Sequence, residues 1–296
     1  MAKVDLHIHS TFSSDGEFTP AELVEIAKSE GLSAIAITDH NTTAGCGAAL
    51  QAGQAAGIEI IPAVELDCIF QDIEFHLLGY FLDHQSEKIA RYFDNIREQE
   101  LLVARERVRL VNAAGIEIDL AEAQSRANDV FITGEIIAEI VLNKPNSAAN
   151  PLLRPFLPGG ARSDNPYVNF YWDYCAQGKP AFVPIKYISM VEAIALIREL
   201  GGIPCLSHPG ANLKGRFDLL EGIVALGMQG IEVYNNYHSP EEVCYFAAKA
   251  REYGLAITCG SDFHGKTKPA IRMGQYGYDG DGLDFLARLK RLRPAY

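Results

Sequence analysis

The chain lacks any long hydrophobic run. No segment of its 296 residues approaches the ~18 uninterrupted apolar residues of a membrane-spanning helix, and the first five residues carry charges within a short apolar run. We therefore expect neither a membrane segment nor a secretion signal. The six cysteines are scattered without a C-x-x-C pair, which excludes a disulfide framework and a zinc ribbon. Reduced thiols in a cytoplasm fit this pattern best.

Basic residues are also scarce. Lys and Arg total 26 against 38 Asp and Glu, so the formal net charge is −12. This balance opposes an extended nucleic-acid surface or binding to an anionic membrane. Bound divalent cations would still supply positive charge locally. With 48% hydrophobic residues the chain can bury a large core, as one domain or one domain with an insertion. The sequence does not predict the oligomeric state.

The first 80 residues alternate short apolar runs with helical stretches. Strands are predicted over residues 3–9, 33–38, 58–65 and 73–81, and helices over 20–30 and 43–56. Thr19, Pro20 and Glu22 form a helix start with a Thr cap, Pro at the first helical position and Glu three residues after the cap. Strand and helix in alternation predict parallel pairing through helical crossovers.

Residues 86–178 break this alternation with a long charged helix, a helix around 132–142 and a loop rich in Pro, Asn and Gly. The alternation then resumes, with strands at 203–207, 230–234 and 256–260 and helices at 191–200 and 240–253. We predict an α/β barrel in two parts, residues 1–85 and 180–296, interrupted by a helical cap at 86–179.

Histidines and carboxylates follow the apolar strands. His7 and His9 share one face at the end of the first strand because side chains alternate along a strand. In α/β barrels the strand ends and the loops after them carry the catalytic groups. The other groups in such positions are His40, Glu65, His208, Asp262 and His264, with Asp15 in the loop after the first strand.

Any one of these histidines alone is better explained as a polar strand end or a satisfied core residue. Several imidazoles and carboxylates buried together without partners would cost several kcal/mol, whereas divalent metals neutralise the carboxylates and use the imidazole lone pairs. Nitrogen and oxygen ligands without thiolate favour Mn, Zn or Fe over a structural cysteine-type zinc site.

The motifs DLHIHS (5–10), TDH (38–40), the Glu of AVE (63–65), SHP (207–209) and SDFH (261–264) resemble, in this order, the polymerase and histidinol phosphatase (PHP) family. The resemblance covers residues 1–80 and 180–265. It is greatest to the stand-alone phosphoesterases that hydrolyse nucleoside monophosphates, 3′,5′-bisphosphates or short oligonucleotide ends. It implies a metal-dependent phosphoesterase with a distorted (β/α)7 barrel.

The resemblance also implies a centre of two or three divalent ions, with Mn expected and Zn, Fe and Mg as alternatives. His7, His9, Glu65 and Asp262 would hold one ion, Glu65, His76 and His208 a second, and Asp15, His40 and His264 a third. For His76 the sequence itself gives little signal, since residues 74–80 also fit a plain strand with one polar residue.

Such ions screen a phosphate ester and lower the pKa of bound water, so that hydroxide attacks phosphorus. Catalytic roles are predicted for His7, His9, His40, Asp262 and His264. Asp39 would orient a ligand imidazole, with a helix N-cap as the equal alternative. The candidate contacts to the substrate phosphate are His238, Lys186, Arg154, Arg162 and Arg216. The arginines of the long helix, Arg97, Arg105, Arg107 and Arg109, are predicted to form salt pairs on the helix face.

Two departures from the relatives concern the substrate. Residues 131–137 read FITGEII where nucleotide-processing members carry a basic Arg-Pro-His-type motif, and Ile185 stands in place of an Arg, with Lys186 next to it. The metal chemistry is therefore better supported than nucleotide specificity. The alternatives are a histidinol-phosphate or other small-molecule phosphatase, an amidohydrolase-like C–N hydrolase, and a metal-dependent binding module.

Overall fold

The structure, a computed structural model, describes residues 3–13, 15–127 and 132–293. Phe131, the first residue of the altered cap motif, lies outside these ranges. The strands are β1 (Lys3–Ile8), β2 (Leu32–Ile37), β3 (Glu59–Phe70), β4 (Ile73–Tyr80), β5 (Ile188–Ser189), β6 (Ile203–Leu206), β7 (Gly230–Tyr234) and β8 (Ala256–Cys259). The helices are α1 (Pro20–Ser29), α2 (Cys46–Ala56), α3 (Glu87–Ala113), α4 (Leu120–Ala127), α5 (Gly134–Leu142), α6 (Pro166–Phe170), α7 (Met190–Glu199), α8 (Pro209–Leu213), α9 (Leu220–Ala225), α10 (Pro240–Tyr253) and α11 (Leu283–Arg291).

The strands form one mixed sheet in the order β1-β2-β3-β4-β6-β7-β8, with β5 paired to β3. The two outer groups, β1-β2-β3 and β6-β7-β8, are parallel, as expected for strands joined by helical crossovers. The expectation of parallel pairing is wrong for β4, which runs antiparallel to both β3 and β6.

A two-residue turn causes this reversal. Gln71 and Asp72 connect β3 to β4, and both have positive φ angles, 48° and 62°. Two such residues make a turn whose twist suits a tight hairpin. Because the hairpin pairs β3 with β4 up to Phe70 and Ile73, β3 continues five residues beyond the predicted end at Glu65.

The two edges of the sheet approach one another without forming a strand ladder. Ile8 and Phe263 make a single parallel bridge, supported by hydrogen bonds from His9 N to Phe263 O (2.9 Å) and from Asp262 N to His7 O (2.9 Å). Asp262 has a φ of 58°, so the chain after β8 leaves the extended conformation there. The α/β class is confirmed, but the expected closed barrel is not, because the sheet is open between β1 and β8.

Helix starts follow the chemistry of their caps. The Thr19 side chain accepts from the Glu22 amide and the Glu22 carboxylate accepts from the Thr19 amide, which confirms the predicted capping box of α1. Ser189 and Ser239 cap α7 and α10 in the same way. The second helix has no side-chain cap, and it begins at Cys46 rather than at Thr43.

Two sets of buried apolar residues lie in different parts of the chain. Helices α3 to α6 supply one cluster, built from residues 104–181 and including Val111, Ile137 and Phe170. The sheet and its covering helices supply the others. Among the described residues no helix combines the length and apolar character that crossing a bilayer requires.

Candidate metal centre

The end of β1 supplies two imidazoles to a fully buried cluster. The Nε2 atoms of His7 and His9 lie 3.1 Å apart, as predicted from their shared strand face. Glu65 Oε2, from the middle of β3, lies 3.1 Å from His7 Nε2 and 3.2 Å from His9 Nε2. Asp262 Oδ1 approaches the same two nitrogens to 3.3 and 3.2 Å. These four side chains can present one ligand atom each within 4.8 Å of one another.

The other carboxylate oxygen of Glu65 faces a second pair of imidazoles. Its Oε1 lies 3.2 Å from His76 Nδ1 and 3.2 Å from His208 Nε2. His76 reaches this position because β4 runs antiparallel to β3, and His208 follows the end of β6. Glu65 thus stands between two groups of nitrogen ligands, which is the geometry of a bridging carboxylate.

A third group surrounds Asp15 in the loop after β1. Asp15 Oδ2 lies 3.0 Å from His264 Nε2 and 3.9 Å from His40 Nε2. The imidazole of His9 stacks on that of His264 with 3.9 Å between ring centroids. His9, Asp15, His40 and His264 can again bring one ligand atom each within 4.8 Å. All nine sequence-predicted ligand residues therefore lie together.

Several polar atoms in this cluster are buried and make no well-directed hydrogen bond among the described residues, and four of the five face another ligand atom of the cluster at 3.0 to 3.4 Å. An unpartnered polar atom removed from water costs free energy, so a cluster of them calls for a ligand. Divalent metal ions would satisfy lone pairs of this kind, and the donor set of imidazole and carboxylate without thiolate fits them. The atoms are His40 Nδ1, Asp67 Oδ1, His76 Nδ1, His208 Nδ1 and His264 Nε2.

The carboxylates of the cluster are held in their charged form. Burial alone would raise the pKa of Asp262, but Lys268, His264 and His7 outweigh it and hold that pKa well below its usual range. Burial opposes ionisation of Glu65 as well, yet the neighbouring imidazoles, first of all His7, keep its pKa well below the usual value. The centre thus offers anionic oxygens to a cation.

Burial has the opposite effect on two imidazoles. It lowers the pKa of His9, with His264 adding to the effect, and it lowers the pKa of His208. A lowered pKa favours the neutral ring, which is the form that donates a lone pair to a metal.

Glu232 orients His7 and was missed in the sequence. Its Oε1 lies 3.1 Å from His7 Nδ1, and its Oε2 accepts hydrogen bonds from the His208 amide (2.8 Å) and from Asn235 Nδ2 (3.0 Å). A carboxylate on the second ring nitrogen is the usual support of a metal-binding histidine. The signal in the sequence was a charged residue, Glu232, in the middle of the apolar strand GIEVY. The Glu232 side chain is buried in the structure.

Asp39 does not have the imidazole-orienting role predicted for it. Its two oxygens accept from the Ser10 amide (2.6 Å) and the Ser10 hydroxyl (2.7 Å), so both are used in fixing the loop after β1. The alternative of a helix N-cap is also wrong, because α2 begins at Cys46 with Gly45 at the cap position.

Asp67 is a second carboxylate that sequence reasoning missed. It lies two residues after Glu65 on the same face of β3, with Oδ1 3.4 Å from His40 Nδ1 and 3.4 Å from His76 Nε2. Asn41 Nδ2 donates to its other oxygen at 2.6 Å. The sequence prediction ended this strand at Glu65, so it did not show that Asp67 lies on the same strand face as Glu65.

A cavity of about 400 Å³ opens from the cluster towards the helical segment. Lys268 lines it beside the centre, with Nζ 2.5 Å from Asp262 Oδ2, and the Tyr237 hydroxyl donates to the same oxygen at 2.6 Å. Arg107 also lines it and is only 7% exposed, so its pairing with Glu100 is internal rather than on the solvent face of α3. The exposed pair of Arg109 with Glu106 is the kind of helix-face pair predicted.

The five residues predicted to contact the substrate phosphate do not line this cavity. His238 uses both ring nitrogens on backbone groups, with Nδ1 2.8 Å from Val233 O and Nε2 accepting from the Gly210 amide. None of the five is among the described residues that line the cavity. Arg162 pairs with Asp173, Arg216 with Asp218, Arg154 donates to Ala148 O, and the backbone of Lys186 bonds to Gln99.

Comparison with known proteins gives consistent relatives. Residues 5–121 match the model of the PHP domain. The 3′,5′-nucleoside bisphosphate phosphatase of Chromobacterium violaceum is 31% identical over 89% of this chain and 88% of its own length. The phosphoribosyl 1,2-cyclic phosphate 1,2-diphosphodiesterase of Eggerthella lenta is 28% identical over 88% of this chain and 94% of its own.

Solved structures share the whole fold. A chain from Chromobacterium violaceum, described as an amidohydrolase with bound sulfate, has a TM-score of 0.79 at 29% identity and covers 99% of both chains. A chain from Bifidobacterium adolescentis, described as a metal-dependent phosphoesterase, has a TM-score of 0.78 at 27% identity and covers 97% of this chain and 96% of its own.

The cluster and these relatives define a metal-dependent hydrolase that acts on phosphate esters. The resemblance found in the sequence motifs is thereby confirmed. The chain belongs to the PHP family of metal-dependent phosphoesterases.

Proposed function

We propose that the nine clustered side chains hold two or three divalent ions, with Mn²⁺ as the resident metal. One ion would be held by His7, His9, Glu65 and Asp262, a second by Glu65, His76 and His208, and a third by Asp15, His40 and His264. The assignment rests on three groups of ligand residues, each with three or four members. These groups are linked, because Glu65 and His9 each belong to two of them. Asp67, between His40 and His76, supports the ions as an additional anionic oxygen.

When bound, such ions screen the charge of a phosphate ester and lower the pKa of water towards neutrality. The chain supplies the remaining functions. Glu232 holds the ring of His7 in the orientation that directs Nε2 into the cluster. Lys268 is the cation closest to Asp262 and lines the cavity, where its ammonium group can donate hydrogen bonds to phosphate oxygens. Tyr237 fixes Asp262 through its hydroxyl.

The proposed substrate is a small phosphate ester of the nucleotide type. A volume of about 400 Å³ falls within the range of small-molecule pockets. Aromatic side chains also line it, including Tyr171, Trp172 and Tyr187. Short oligonucleotide ends remain within the proposal, because an end can enter the cavity while the rest of the strand stays outside.

The domain organisation and the cellular location are part of the proposal. We propose that residues 86–179 form a cap inserted into an α/β unit made of residues 1–85 and 180–296, in keeping with the separate apolar cluster of residues 104–181. We also propose a cytoplasmic location, because all six cysteines are free thiols and five of them are buried.

Lys268 bears on C–N bond hydrolysis, since a metal-bridging lysine would have to be carbamylated. Burial would lower the pKa of Lys268, but Asp262 outweighs it and raises the pKa above its ordinary value. The Asp262 carboxylate thus favours the charged ammonium form of Lys268, whereas carbamylation needs the neutral amine. Phosphoester hydrolysis is the better-supported chemistry.

A substrate panel tests the proposal. The purified protein, reconstituted with Mn²⁺, is offered a nucleoside monophosphate, a nucleoside bisphosphate, a dinucleotide, histidinol phosphate and a cyclic amide. We expect hydrolysis of nucleotide phosphoesters and none of the amide. Activity on histidinol phosphate alone would replace the proposed substrate, and activity on the amide alone would overturn the reaction class.

A further inference from the structure

The cavity wall formed by residues 86–179 differs in charge from the opposite wall, which is formed by the metal cluster. Five of the side chains on this side are called the cap wall: Glu100, Arg107, Thr133, Glu135 and Tyr171. All five line the same cavity as His40, His76 and His208. A substrate with its phosphate at the metal cluster would therefore place its other end against the cap wall.

The cation of the cap wall is already compensated. Arg107 Nη1 lies 3.1 Å from Glu100 Oε2 and donates to the carbonyl of Ile132 at 2.6 Å. Both charged side chains are largely buried, so their attraction is little screened by solvent. This guanidinium can still donate hydrogen bonds to neutral oxygens, but it brings little net positive charge to the cavity.

The second carboxyl group of the cap wall is that of Glu135. Glu135 forms no close ion pair with a Lys or Arg among the described residues, because Arg107 pairs with Glu100 and Lys266 with Glu139. Arg107 attracts the Glu135 carboxylate only from a longer distance. Burial, with the negative charge of Asp15, raises the pKa of Glu135 to about 7. The residues outside the described ranges include no Lys, Arg or His, so they cannot add a cation here. Glu135 thus offers the cavity an oxygen acceptor or, when protonated, a donor.

Two lysines also line this cavity. Lys268 is bound to Asp262 beside the metal cluster. Lys214 lies at the exposed mouth, with Nζ 4.6 Å from the centre of the Trp172 ring. Apart from these two lysines, the cap wall presents a compensated guanidinium, the Glu135 carboxyl, a threonine hydroxyl and a tyrosine to the cavity. Such a surface suits neutral hydroxyl groups and repels a second phosphate.

We propose that the cap wall selects phosphate esters with a single phosphate, by binding the neutral, hydroxyl-bearing part of the substrate through Arg107 and Glu135. The inference rests on the proposed function and sharpens it. A nucleoside monophosphate fits this wall, whereas the bisphosphate named for the Chromobacterium relative would place its second phosphate beside Glu135. Glu135 is a specificity residue in this assignment.

The test compares adenosine 5′-monophosphate with adenosine 3′,5′-bisphosphate, using phenyl phosphate to monitor the chemical step. For the unaltered Mn²⁺-loaded protein we expect kcat/KM to favour the monophosphate by at least about tenfold. In Glu135→Arg the preference should shrink or reverse, through a lower KM for the bisphosphate. Glu135→Gln, which keeps the shape and removes the charge, should give an intermediate ratio.

Glu117→Gln is the matched control, since Glu117 is an exposed glutamate of the same helical segment and should leave the ratio unchanged. An unaltered protein that prefers the bisphosphate, and loses this preference in Lys214→Met, would overturn the inference and assign the second phosphate to the mouth. An unchanged ratio in Glu135→Arg would overturn it too. Absence of phenyl phosphate and nucleotide hydrolysis would instead contradict the proposed function.

Discussion

Asp262 combines a strained backbone with a central position in the cluster. Its φ of 58° lies in the left-handed region, which Asp and Asn tolerate better than most residues. One oxygen faces His7 and His9, and the other accepts from Tyr237 and pairs with Lys268. The strained backbone conformation thus occurs at a carboxylate that contacts the imidazoles with one oxygen and the Tyr237 and Lys268 side chains with the other. Such strain is typical of a functional site.

Asp262→Asn should reduce metal content and hydrolysis together. Asparagine keeps the backbone conformation and the shape but removes the anionic ligand, so we expect kcat/KM to fall by at least about 100-fold. Metal per chain is measured by mass spectrometry beside the rate. Asp72→Asn is the matched control, because Asp72 also has a positive φ, 62°, but lies in the exposed β3–β4 turn. Retained metal with an unchanged rate would remove Asp262 from the ligand set.

Glu232→Gln should weaken metal binding without removing a ligand. Glutamine can hydrogen-bond to His7 or to the His208 amide but cannot supply the negative charge that raises the basicity of the imidazole. We expect a loss of about 10- to 100-fold in Mn²⁺ affinity, measured by titration of the metal-free protein. Glu241→Gln, on the exposed start of α10, serves as the control. Equal affinities in the two variants would show that Glu232 has only a structural role.

The raised pKa of Glu135 predicts that the stability of the metal-free protein depends on pH. Its folded-state pKa is raised from 4.5 to about 7, so between these values the folded state keeps a proton that the unfolded state has lost. The contribution of Glu135 to the free energy of unfolding therefore decreases as pH rises through that window. Glu135→Gln is neutral at every pH and should gain stability relative to the unaltered protein between about pH 5 and pH 8. Urea unfolding measures this difference, and a constant difference would contradict the raised pKa.

The sequence located most of the candidate site at the residue scale. His7, His9, His40, Glu65, His208, Asp262 and His264 were predicted from their places at strand ends, and the alternation of side chains predicted that His7 and His9 share a face. Asp67 and Glu232 were missed, since each lies inside a strand whose extent or burial the sequence left open. Pairings such as Asp39 with Ser10 depend on rotamers and loop positions, which no spacing rule specifies.

At the scale of elements, local chemistry fixed the helix ends well. The predicted bounds 230–234 and 240–253 agree with β7 and α10, where the cap and the glycine after the helix give clear signals. The direction of β4 could not be predicted, because alternation is the same in parallel and antiparallel strands. The Gln71-Asp72 turn also lacks the glycine that usually marks a tight hairpin.

Thr19→Ala should destabilise the protein by about 1 kcal/mol, because it removes the hydroxyl that accepts from the Glu22 amide at the start of α1. The measurement is the free energy of unfolding in urea. Thr19→Ser keeps a hydroxyl at the same position and should retain most of the stability. A serine variant as unstable as the alanine variant would show that the loss comes from packing of the threonine methyl group and not from the cap.

At the scale of the whole molecule, the centre joins distant parts of an acidic chain. Its ligands come from β1 and the loop after it, from the segment after β2, from β3 and β4, and from the segments after β6 and β8. The net charge of −12 opposes binding of polyanions across the surface, so affinity for a phosphate ester must be concentrated at the metal cluster. The closed barrel expected from the sequence was not confirmed, since closure depends on pairing between the first and last strands of the sheet.

The central claim is that this cluster is a metal centre for phosphoester hydrolysis. It is tested most directly by titrating the metal-stripped protein with Mn²⁺ while bound metal and hydrolysis of a nucleoside monophosphate are followed together. We predict no hydrolysis without metal, activity that rises with the binding of two or three ions per chain, and its loss on chelation. Full hydrolysis by the stripped protein, or saturated metal binding without hydrolysis of any phosphoester in the panel, would contradict the claim.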